Sequence, residues 1–522
     1  MDLRRPLWHL FAAGTVGLCA PLALGLGYAG RLVAPAGFYT VHVADTVPAG
    51  PAVRRPRSAS LVVFDGLGHE EARHMPTLAR LQERGQCRLT DVGSLPMSRP
   101  VYAVLSTGLE ADRAGNRDND DTGPLAAQSI WELARAAGLR VAAVSELPWW
   151  RELFPRGFDD YVLAAQSANY FELVPAADLR LIHPLYIDEA GHEFGAASPQ
   201  YHEAVARGDR ELAAYLDTLD LDRDLVIVTA DHGHSLRGGH GGLQDRVARV
   251  ITCLAGPGVR QQGAPGPLRS TSVAPALALM LGLPFPAEMR AGDDELDVLA
   301  ELVVPAAFPP AYLDERRRSL ERFRAANAAQ LRAWWPASAG SWDQFYALHR
   351  ARQRRAALPA LLAVGLLLAW QVRAHRYGRP AAIGLALVVL FYLLLFAGQV
   401  GLRGSFDLSA VAGREQFIGF TVTLSLAATL GAIGLHWLMR RDLAALLRDL
   451  AVLSLTGTLL SLAHPLAFGW RIGFPLPPPS LYFFPYFAAI ALSVSNGVYL
   501  LLVVACVVWA RRAAARRPAP PP

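Results

Sequence analysis

The stretch Leu225-Val-Ile-Val-Thr-Ala-Asp231-His232-Gly decides the fold class of this chain. A short run of apolar and β-branched residues ends in two polar side chains and a glycine, which is typical of a buried strand with functional groups at its C-terminal end. Ser60-Leu-Val-Val-Phe-Asp65-Gly repeats the design, and a further apolar run covers residues 140–144. Helical stretches rich in Ala, Leu and Arg alternate with these strands. The alternation predicts an α/β domain with a mostly parallel sheet sandwiched by helices.

Two other segments carry side chains of the same chemical types. In Leu181-Ile-His-Pro-Leu-Tyr-Ile-Asp188-Glu-Ala-Gly-His192 an acid and an imidazole lie four residues apart, and Arg237-Gly-Gly-His240 places one imidazole on a loop. Open α/β sheets bind ligands at the C-terminal ends of their strands, so we expect these side chains to converge. Singly, each has a structural alternative as a turn, core or surface residue. Together they predict a divalent metal site, because unpaired charges at strand ends are costly.

The candidate nucleophile is Ser98, in Leu95-Pro-Met-Ser98-Arg99-Pro. A Ser before a Pro and an apolar run marks a helix N-terminus, and the structural alternative is that Ser98 only caps this helix. The same geometry favours a phosphate beside the Ser oxygen, because helix N-termini present free N–H groups and a positive dipole end. The chain contains no Lys, so metals and Arg99 are the groups available to neutralise phosphate charge.

The composition indicates a membrane protein. The chain has 522 residues, of which 52% are hydrophobic, and all 50 of its basic residues are Arg. Many of these Arg flank apolar runs, a pattern that reports membrane topology and argues against nucleic-acid binding as a primary role. The lipid bilayer is therefore an expected partner.

Four regions follow from the apolar pattern. We predict an N-terminal transmembrane anchor over 1–35, a catalytic domain over 36–303, a juxtamembrane helical stalk over 304–355 and a five-span membrane domain over 356–522. The five predicted spans cover residues 356–372, 381–400, 417–439, 450–468 and 481–510. A cleaved signal peptide is the competing interpretation of the N-terminal run, which is longer than a signal-peptide core of about 7 to 15 residues.

Six spans return both termini to one side, and the Arg clusters at the chain ends and at 373–379 and 440–441 predict that this side is the cytoplasm. The catalytic domain then lies outside it, on the periplasmic face of the inner cell membrane. One Arg cluster at 350–355 falls on the outer side, where it would bind headgroups or snorkel, unless the span count differs by one. Outside the cytoplasm a Cys87–Cys253 disulfide is conceivable, and the sequence leaves the pairing open.

As a set, the residues from Ser60 to about Gly292 closely resemble the alkaline phosphatase superfamily, and within it the nucleotide pyrophosphatase/phosphodiesterases and the GPI ethanolamine phosphate transferases. The resemblance implies two divalent metal ions, zinc or alternatively manganese. It also implies a phosphoserine intermediate on Ser98, and in the phosphodiesterases an Asn near the position of Asn119 stabilises phosphate oxygen. His183 and His234 lie near the motifs and receive no role. One metal would be held by Asp65, Ser98, Asp231 and His232, and the other by Asp188, His192 and His240.

Three enzymatic functions and one non-enzymatic function are consistent with these residues. The favoured one is a transferase that moves a phosphoethanolamine-like group from a membrane phospholipid, because a lipid donor must be presented at the bilayer. A phosphodiesterase that uses water is the main alternative. A sulfatase is disfavoured, because sulfatases require an Arg where Tyr102 stands. A scaffold with an inactive outer domain is disfavoured by the complete ligand set.

Overall fold

The structure is a computed structural model. It describes residues 4–33, 46–47, 379–404, 414–443 and 479–515, scattered positions over 311–366 and 445–461, and residues 55–304 apart from 94, 121, 243, 262–265, 287–288 and 290–292. The predicted stalk over 304–355 and the predicted spans at 356–372 and 450–468 lie largely outside the described residues. Their placement stays a prediction.

Ten strands lie in the described part of the chain. They are β1 (Thr46–Val47), β2 (Ser58–Phe64), β3 (Gly85–Asp91), β4 (Val141–Ser145), β5 (Asp160–Leu163), β6 (Leu179–His183), β7 (Asp224–Ala230), β8 (Arg249–Ala255), β9 (Leu268–Arg269) and β10 (Phe285–Pro286).

The helices between residues 69 and 302 have at most 18 residues, and the other described helices have 25 or more. They are α1 (Arg4–Val33), α2 (His69–Ala72), α3 (Pro76–Arg84), α4 (Ser98–Thr107), α5 (Ala111–Ala114), α6 (Ile130–Ala136), α7 (Trp149–Leu153), α8 (Tyr170–Leu173), α9 (Tyr186–Phe194), α10 (Pro199–Leu216), α11 (Asp245–Ala248), α12 (Val273–Met280), α13 (Asp293–Leu302), α14 (Arg379–Arg403), α15 (Arg414–Arg440) and α16 (Pro479–Ala515).

The main sheet is mixed and has the order β5-β4-β6-β2-β7-β8-β3-β9. The first five strands of this order are parallel, whereas β8 runs antiparallel to both β7 and β3. The central strands β2 and β7 are buried along their whole length, which explains their continuous apolar sequences. The predicted α/β class is therefore confirmed as a mixed α/β sheet, with an antiparallel strand that periodicity did not reveal.

Two groups of helices pack around this sheet. One group centres on α10, which contacts α2, α3, α8 and α9, and the other centres on α4, which contacts α5, α6, α7 and α12. Local sequence signals start several of these helices. Ser129 and Glu132 form a capping box at the start of α6, and the Ser198 hydroxyl accepts from the Tyr201 N–H at the start of α10.

A disulfide joins the antiparallel part of the sheet. Cys87 on β3 and Cys253 on β8 are directly paired in register and are bonded to each other. The pairing that the sequence left open is therefore present in the structure. It closes a loop with a sequence separation of 166 residues, which restricts the unfolded chain.

The long helices pack against one another through small residues. α1 contacts α16, and α15 contacts both α14 and α16. At the first contact a β-carbon on Gly497 would lie 2.9 Å from the Gly14 carbonyl oxygen, so glycine permits this approach. The Ser493 hydroxyl donates to the Gly17 carbonyl across the same contact, at 2.7 Å. Such interfaces are typical of membrane helix pairs.

Two stretches of the described helices are long and apolar enough to cross a membrane, judged by length and composition: Gly419–Met439 in α15 and Ile490–Ala510 in α16. Shorter apolar stretches lie at His9–Ala23, Ser270–Met280 and Val389–Leu402. Helical structure thus covers four of the six predicted spans. The topology itself stays a prediction.

Candidate metal centre

The site forms where four neighbouring parallel strands end. In spatial order β4, β6, β2 and β7 deliver Ser145, His183, Asp65 and Asp231 at or just beyond their last residues. The chain can turn after Asp65 because Gly66 adopts a φ of +76°, and a β-carbon there would lie 2.7 Å from the Asp188 α-carbon. Glycine at this position therefore lets the second carboxylate-bearing segment approach the first.

The first group of candidate ligands consists of Asp65, Ser98 and Asp231 around the Nε2 atom of His232. His232 Nε2 lies 3.3 Å from Asp231 Oδ2, 3.6 Å from Asp65 Oδ1 and 3.3 Å from Ser98 Oγ. Ligands on a tetrahedral metal with bonds of about 2.0–2.1 Å are about 3.3 Å apart, which these separations match. Both carboxylate oxygens are buried without a hydrogen-bond partner. The donor set therefore fits a divalent cation, and three of the residues, Asp65, Asp231 and His232, form a group that could hold one.

The second ligand group centres on Asp188. Its two oxygens lie 3.3 Å from His192 Nε2 and 2.7 Å from His234 Nε2, and these three residues again form a group that could hold a metal. Asp188 also forms such a group with His232 and His240. All six predicted metal-ligating Asp and His residues thus gather in one place, and the structure adds His234 to them.

His240 is oriented for ligation by the loop that carries it. Its Nδ1 donates to the Pro96 carbonyl at 3.0 Å, which leaves the buried Nε2 unpartnered as a lone-pair donor. The ring stacks on His232 with centroids 3.8 Å apart. His240 thereby links the two ligand groups.

Three side chains that do not belong to the predicted ligand set orient Asp65. His183 Nε2 donates to Asp65 Oδ2 at 3.1 Å, and its Nδ1 accepts from the Ser145 hydroxyl at 2.8 Å. The Tyr102 hydroxyl donates to the same Asp65 oxygen, while its ring stacks on Trp150 with centroids 4.2 Å apart. With Oδ2 occupied by two donors, Oδ1 is the oxygen left to bind a cation.

Ser98 begins the ten-residue helix α4, as predicted, and its hydroxyl faces His232. The backbone N–H of Arg99 donates to Asn119 Oδ1 at 3.0 Å, so Asn119 lies beside the nucleophile and retains its Nδ2 group as a donor. The Arg99 guanidinium is buried, pairs with Glu152 at 2.5 Å and lies 4.4 Å from the centroid of the Trp149 ring. Its Nε and Nη1 atoms have no partner.

Burial sets the protonation states in the site. Burial and the neighbouring Asp65 and Asp188 carboxylates raise the pKa of Asp231 well above its usual value. Burial lowers the pKa of His232 to about 4, and burial with the surrounding imidazoles lowers the pKa of His240 well below its usual value. Both imidazoles are therefore neutral near pH 7, which is the form that binds metals. A divalent cation between the carboxylates would also remove the repulsion that opposes their joint ionisation.

Residues that sequence reasoning passed over fall into two kinds. His234 had a readable signal, since it lies two residues after His232 in the same segment that follows β7. His183 and Tyr102 act on Asp65 from elements distant along the chain, and only the packing of β6 and α4 beside β2 reveals this.

Comparison with known proteins assigns the domain. Residues 60–237 match the family model of type I phosphodiesterases/nucleotide pyrophosphatases. The catalytic subunit of GPI ethanolamine phosphate transferase 3 from Mus musculus is 25% identical over 177 residues, which cover 30% of this chain and 16% of that relative. The catalytic subunit of GPI ethanolamine phosphate transferase 2 from Homo sapiens is 25% identical over 259 residues, or 43% of this chain and 26% of that relative. The aligned part is thus a minor fraction of each relative's length.

Among solved structures, human ectonucleotide pyrophosphatase/phosphodiesterase 5 superposes with a TM-score of 0.36 at 15% identity, covering 43% of this chain and 95% of that one. The family match over residues 60–237 includes the segments that carry Asp65, Asp188 and Asp231. The domain that contains this centre therefore belongs to the alkaline phosphatase superfamily.

Proposed function

We propose that this chain is a metal-dependent phosphoryl-group transferase that acts on phosphodiesters at a membrane surface. Its donor is a membrane phospholipid, from which it moves a phosphoethanolamine-like group through a phosphoserine intermediate in which Ser98 Oγ carries that whole group. The observation that carries the proposal is the position of Ser98 Oγ, 3.3 Å from His232 Nε2 at the N-terminus of a ten-residue helix. The similarity of the domain to phosphodiesterases and ethanolamine phosphate transferases supports phosphoester chemistry in general.

Two divalent ions are part of the proposal. Asp65, Ser98, Asp231 and His232 would hold one, and Asp188, His192 and His240 would hold the other. The mixed imidazole and carboxylate donors suit zinc, with manganese as the alternative. When bound, such a pair neutralises phosphate charge and lowers the pKa of a coordinated hydroxyl.

The protein's own groups then carry out an in-line displacement. The Ser98 hydroxyl loses its proton, Oγ bonds to phosphorus, and the bond to the leaving oxygen breaks as that oxygen gains a proton. The positive end of the α4 dipole, Asn119 Nδ2 and the unpartnered atoms of Arg99 would stabilise the phosphate oxygens. An acceptor hydroxyl next attacks the phosphoserine and restores Ser98.

A hydrolase of the phosphodiesterase type is the second candidate, because the family model that matches residues 60–237 describes such enzymes. The chemistry on Ser98 is the same, and water replaces the acceptor hydroxyl. A sulfatase is less well supported, since Tyr102 occupies the position that needs an Arg and donates to Asp65.

We place the enzyme in the inner cell membrane, with its catalytic domain on the periplasmic side and both termini in the cytoplasm. The Cys87–Cys253 disulfide supports this location, because disulfides persist in oxidising compartments. The apolar helices α15 and α16 support a membrane domain behind the catalytic one.

The test uses purified full-length protein in vesicles of phosphatidylethanolamine that also contain a hydroxyl-bearing glycolipid as the acceptor. Elemental analysis should give two metal ions per chain, and mass spectrometry of quenched reactions should give a Ser98 peptide that carries a phosphoethanolamine group. Analysis of the lipids by mass spectrometry then separates the candidates: a modified hydroxyl acceptor supports transfer, whereas release of soluble phosphoethanolamine without a modified acceptor supports the hydrolase. Absence of both products and of the phosphopeptide would refute the proposal.

A further inference from the structure

An exposed turn projects from the rim of the metal centre. The turn over residues 235–239 is closed by the Ser235 N–H, which donates to the Gly239 carbonyl at 2.9 Å, and by the Ser235 hydroxyl, which donates to the Gly238 carbonyl at 2.6 Å. It lies between two imidazoles of the centre, His234 and His240. Its tip carries Leu236, whose side chain is 56% exposed, followed by the exposed Arg237.

A second exposed apolar side chain lies beside this tip. Phe194 is the last residue of α9, two positions after His192, and is 44% exposed. The segment after α9 is fastened to the turn, because the Ala197 N–H donates to the Leu236 carbonyl at 3.2 Å. A large aromatic and a Leu are thus exposed together at the edge of the centre. These two side chains alone do not define a contact surface, so their role depends on what lies next to the turn.

The turn also meets the end of α14. Arg237 Nη1 donates to the Gly401 carbonyl at 2.6 Å, and a β-carbon on Gly404 would lie 3.6 Å from Arg237 Cδ. Carbonyl groups in the last turn of a helix have no partner within the helix and carry the negative end of its dipole, which suits a cation. α14 covers the predicted span at 381–400. In the predicted topology it runs outward from Arg379, which would place this contact at the outer surface of the membrane.

We propose that Phe194, Leu236 and Arg237 form a lipid rim that rests in the outer headgroup layer and opens the metal centre towards phosphodiesters still embedded in the bilayer. The substrate class rests on the proposed function, whereas the orientation rests on the Arg237 contact with α14. The two apolar side chains suit the boundary between headgroups and acyl chains, and the guanidinium suits lipid phosphates.

The orientation is tested without turnover. A polarity-sensitive fluorophore is attached to Leu236→Cys or to the control Leu173→Cys, an exposed position on α8 with a similar exposed fraction of 42%. Both are made in full-length protein in which the free Cys19 and Cys506 are replaced by Ser. In nanodiscs that contain headgroup-labelled nitroxide lipid, we expect strong quenching at position 236 and little at position 173. Equal quenching at positions 236 and 173 would overturn the lipid rim. So would a fluorophore at position 236 that is shielded from water as well in lipid-free detergent as in nanodiscs.

The consequence for catalysis is tested with two substrates. We expect Leu236→Asp to slow turnover of a vesicle phosphodiester about tenfold or more, because a buried Leu contributes about that factor in affinity. Arg237→Ala should act in the same direction, Arg237→Lys should restore part of the rate, and Leu173→Asp should have no effect. Bis(4-nitrophenyl) phosphate, a soluble phosphodiester, should be cleaved at an unchanged rate by every variant.

The outcomes separate the two proposals. An equal loss on both substrates would mean that the turn only supports the metal centre, and no loss on vesicles would mean that the rim does not touch lipid, so either result overturns this inference. If wild-type protein cleaves neither substrate while quenching at position 236 persists, the proposed function fails and the lipid rim stands.

Discussion

Replacing Tyr102 by Phe removes one hydroxyl from the centre and little else. The ring is fully buried and stacked on Trp150, so the aromatic packing is retained. The lost group is one of two donors to Asp65 Oδ2, and only His183 Nε2, at 3.1 Å, remains. A hydrogen bond to a charged group contributes about 1.5–3 kcal/mol. Since about 1.4 kcal/mol corresponds to a tenfold change, the metal dissociation constant should rise about 10- to 100-fold.

The assay is a zinc titration of chelator-stripped protein in competition with a fluorescent chelator. The matched control is Tyr215→Phe, which removes a buried hydroxyl bonded to Ser60 at 2.7 Å, at the far end of the strand that delivers Asp65. This variant should bind zinc as the wild type does. Thermal unfolding of the metal-free proteins shows whether the two substitutions cost similar stability.

Wild-type zinc affinity in Tyr102→Phe would contradict the role assigned to this hydroxyl. The Tyr102 hydroxyl would then serve packing alone, and Asp65 would need no second donor to present Oδ1. Equal weakening by Tyr102→Phe and Tyr215→Phe would also refute it, because the effect would then report general destabilisation.

Four further predictions follow from the same geometry. Ser98→Ala should lower turnover by at least about 10³-fold with unchanged metal content by elemental analysis, and retained activity would exclude this nucleophile. His234→Ala should weaken metal binding by about 10- to 100-fold in the same chelator assay, and wild-type affinity would place it outside the centre. Replacing Cys87 and Cys253 by Ser should cost up to about 5 kcal/mol of unfolding free energy in denaturant titrations, given the 166-residue separation, and an unchanged midpoint would contradict the bond. Burial raises the pKa of Asp224, but hydrogen bonds, the strongest of them from Arg57, together outweigh burial and hold this pKa below the ordinary 3.8. The ionised Asp224 should therefore stabilise the fold fully above about pH 3.8, and this contribution should be lost as the pH falls through the lowered pKa. Asp224→Asn should make the free energy of unfolding depend less steeply on pH in this range, and an unchanged slope would disprove the assignment.

The strands that precede the candidate ligands could be predicted because each one is a short apolar run that ends in polar residues. The predicted strands at 60–64, 140–144 and 225–229 correspond to Ser58–Phe64, Val141–Ser145 and Asp224–Ala230. A strand buried on both faces is apolar along its whole length, and polar side chains are tolerated only after its C-terminal end. The apolar run and the polar ligand candidates therefore meet at the residue where the strand ends. The convergence of Asp65, Asp231 and His232 follows from that rule. The other three candidate ligands come from α9 and from the loop after β7.

The rest depends on pairings between distant segments. The antiparallel placement of β8 between β7 and β3 brings Cys87 opposite Cys253, and no local pattern encodes that register. The support of Asp65 by His183 and Tyr102 likewise requires knowledge of which elements are neighbours. A single sequence indicates which residues prefer burial, but it does not indicate which distant residues are in contact.

The seam between α1 and α16 has a consequence for biosynthesis. Ser493 donates to Gly17 across 476 residues of sequence, so the first helix emerges long before the helix against which it packs. The catalytic domain is translated after α1 and before the later long helices. Its core and its disulfide can therefore form while α1 is the only described long helix already synthesised. When α16 packs against α1, the two ends of the chain come together. Mutations in α16 should therefore leave the domain of the metal centre folded and disrupt only the packing of the long helices.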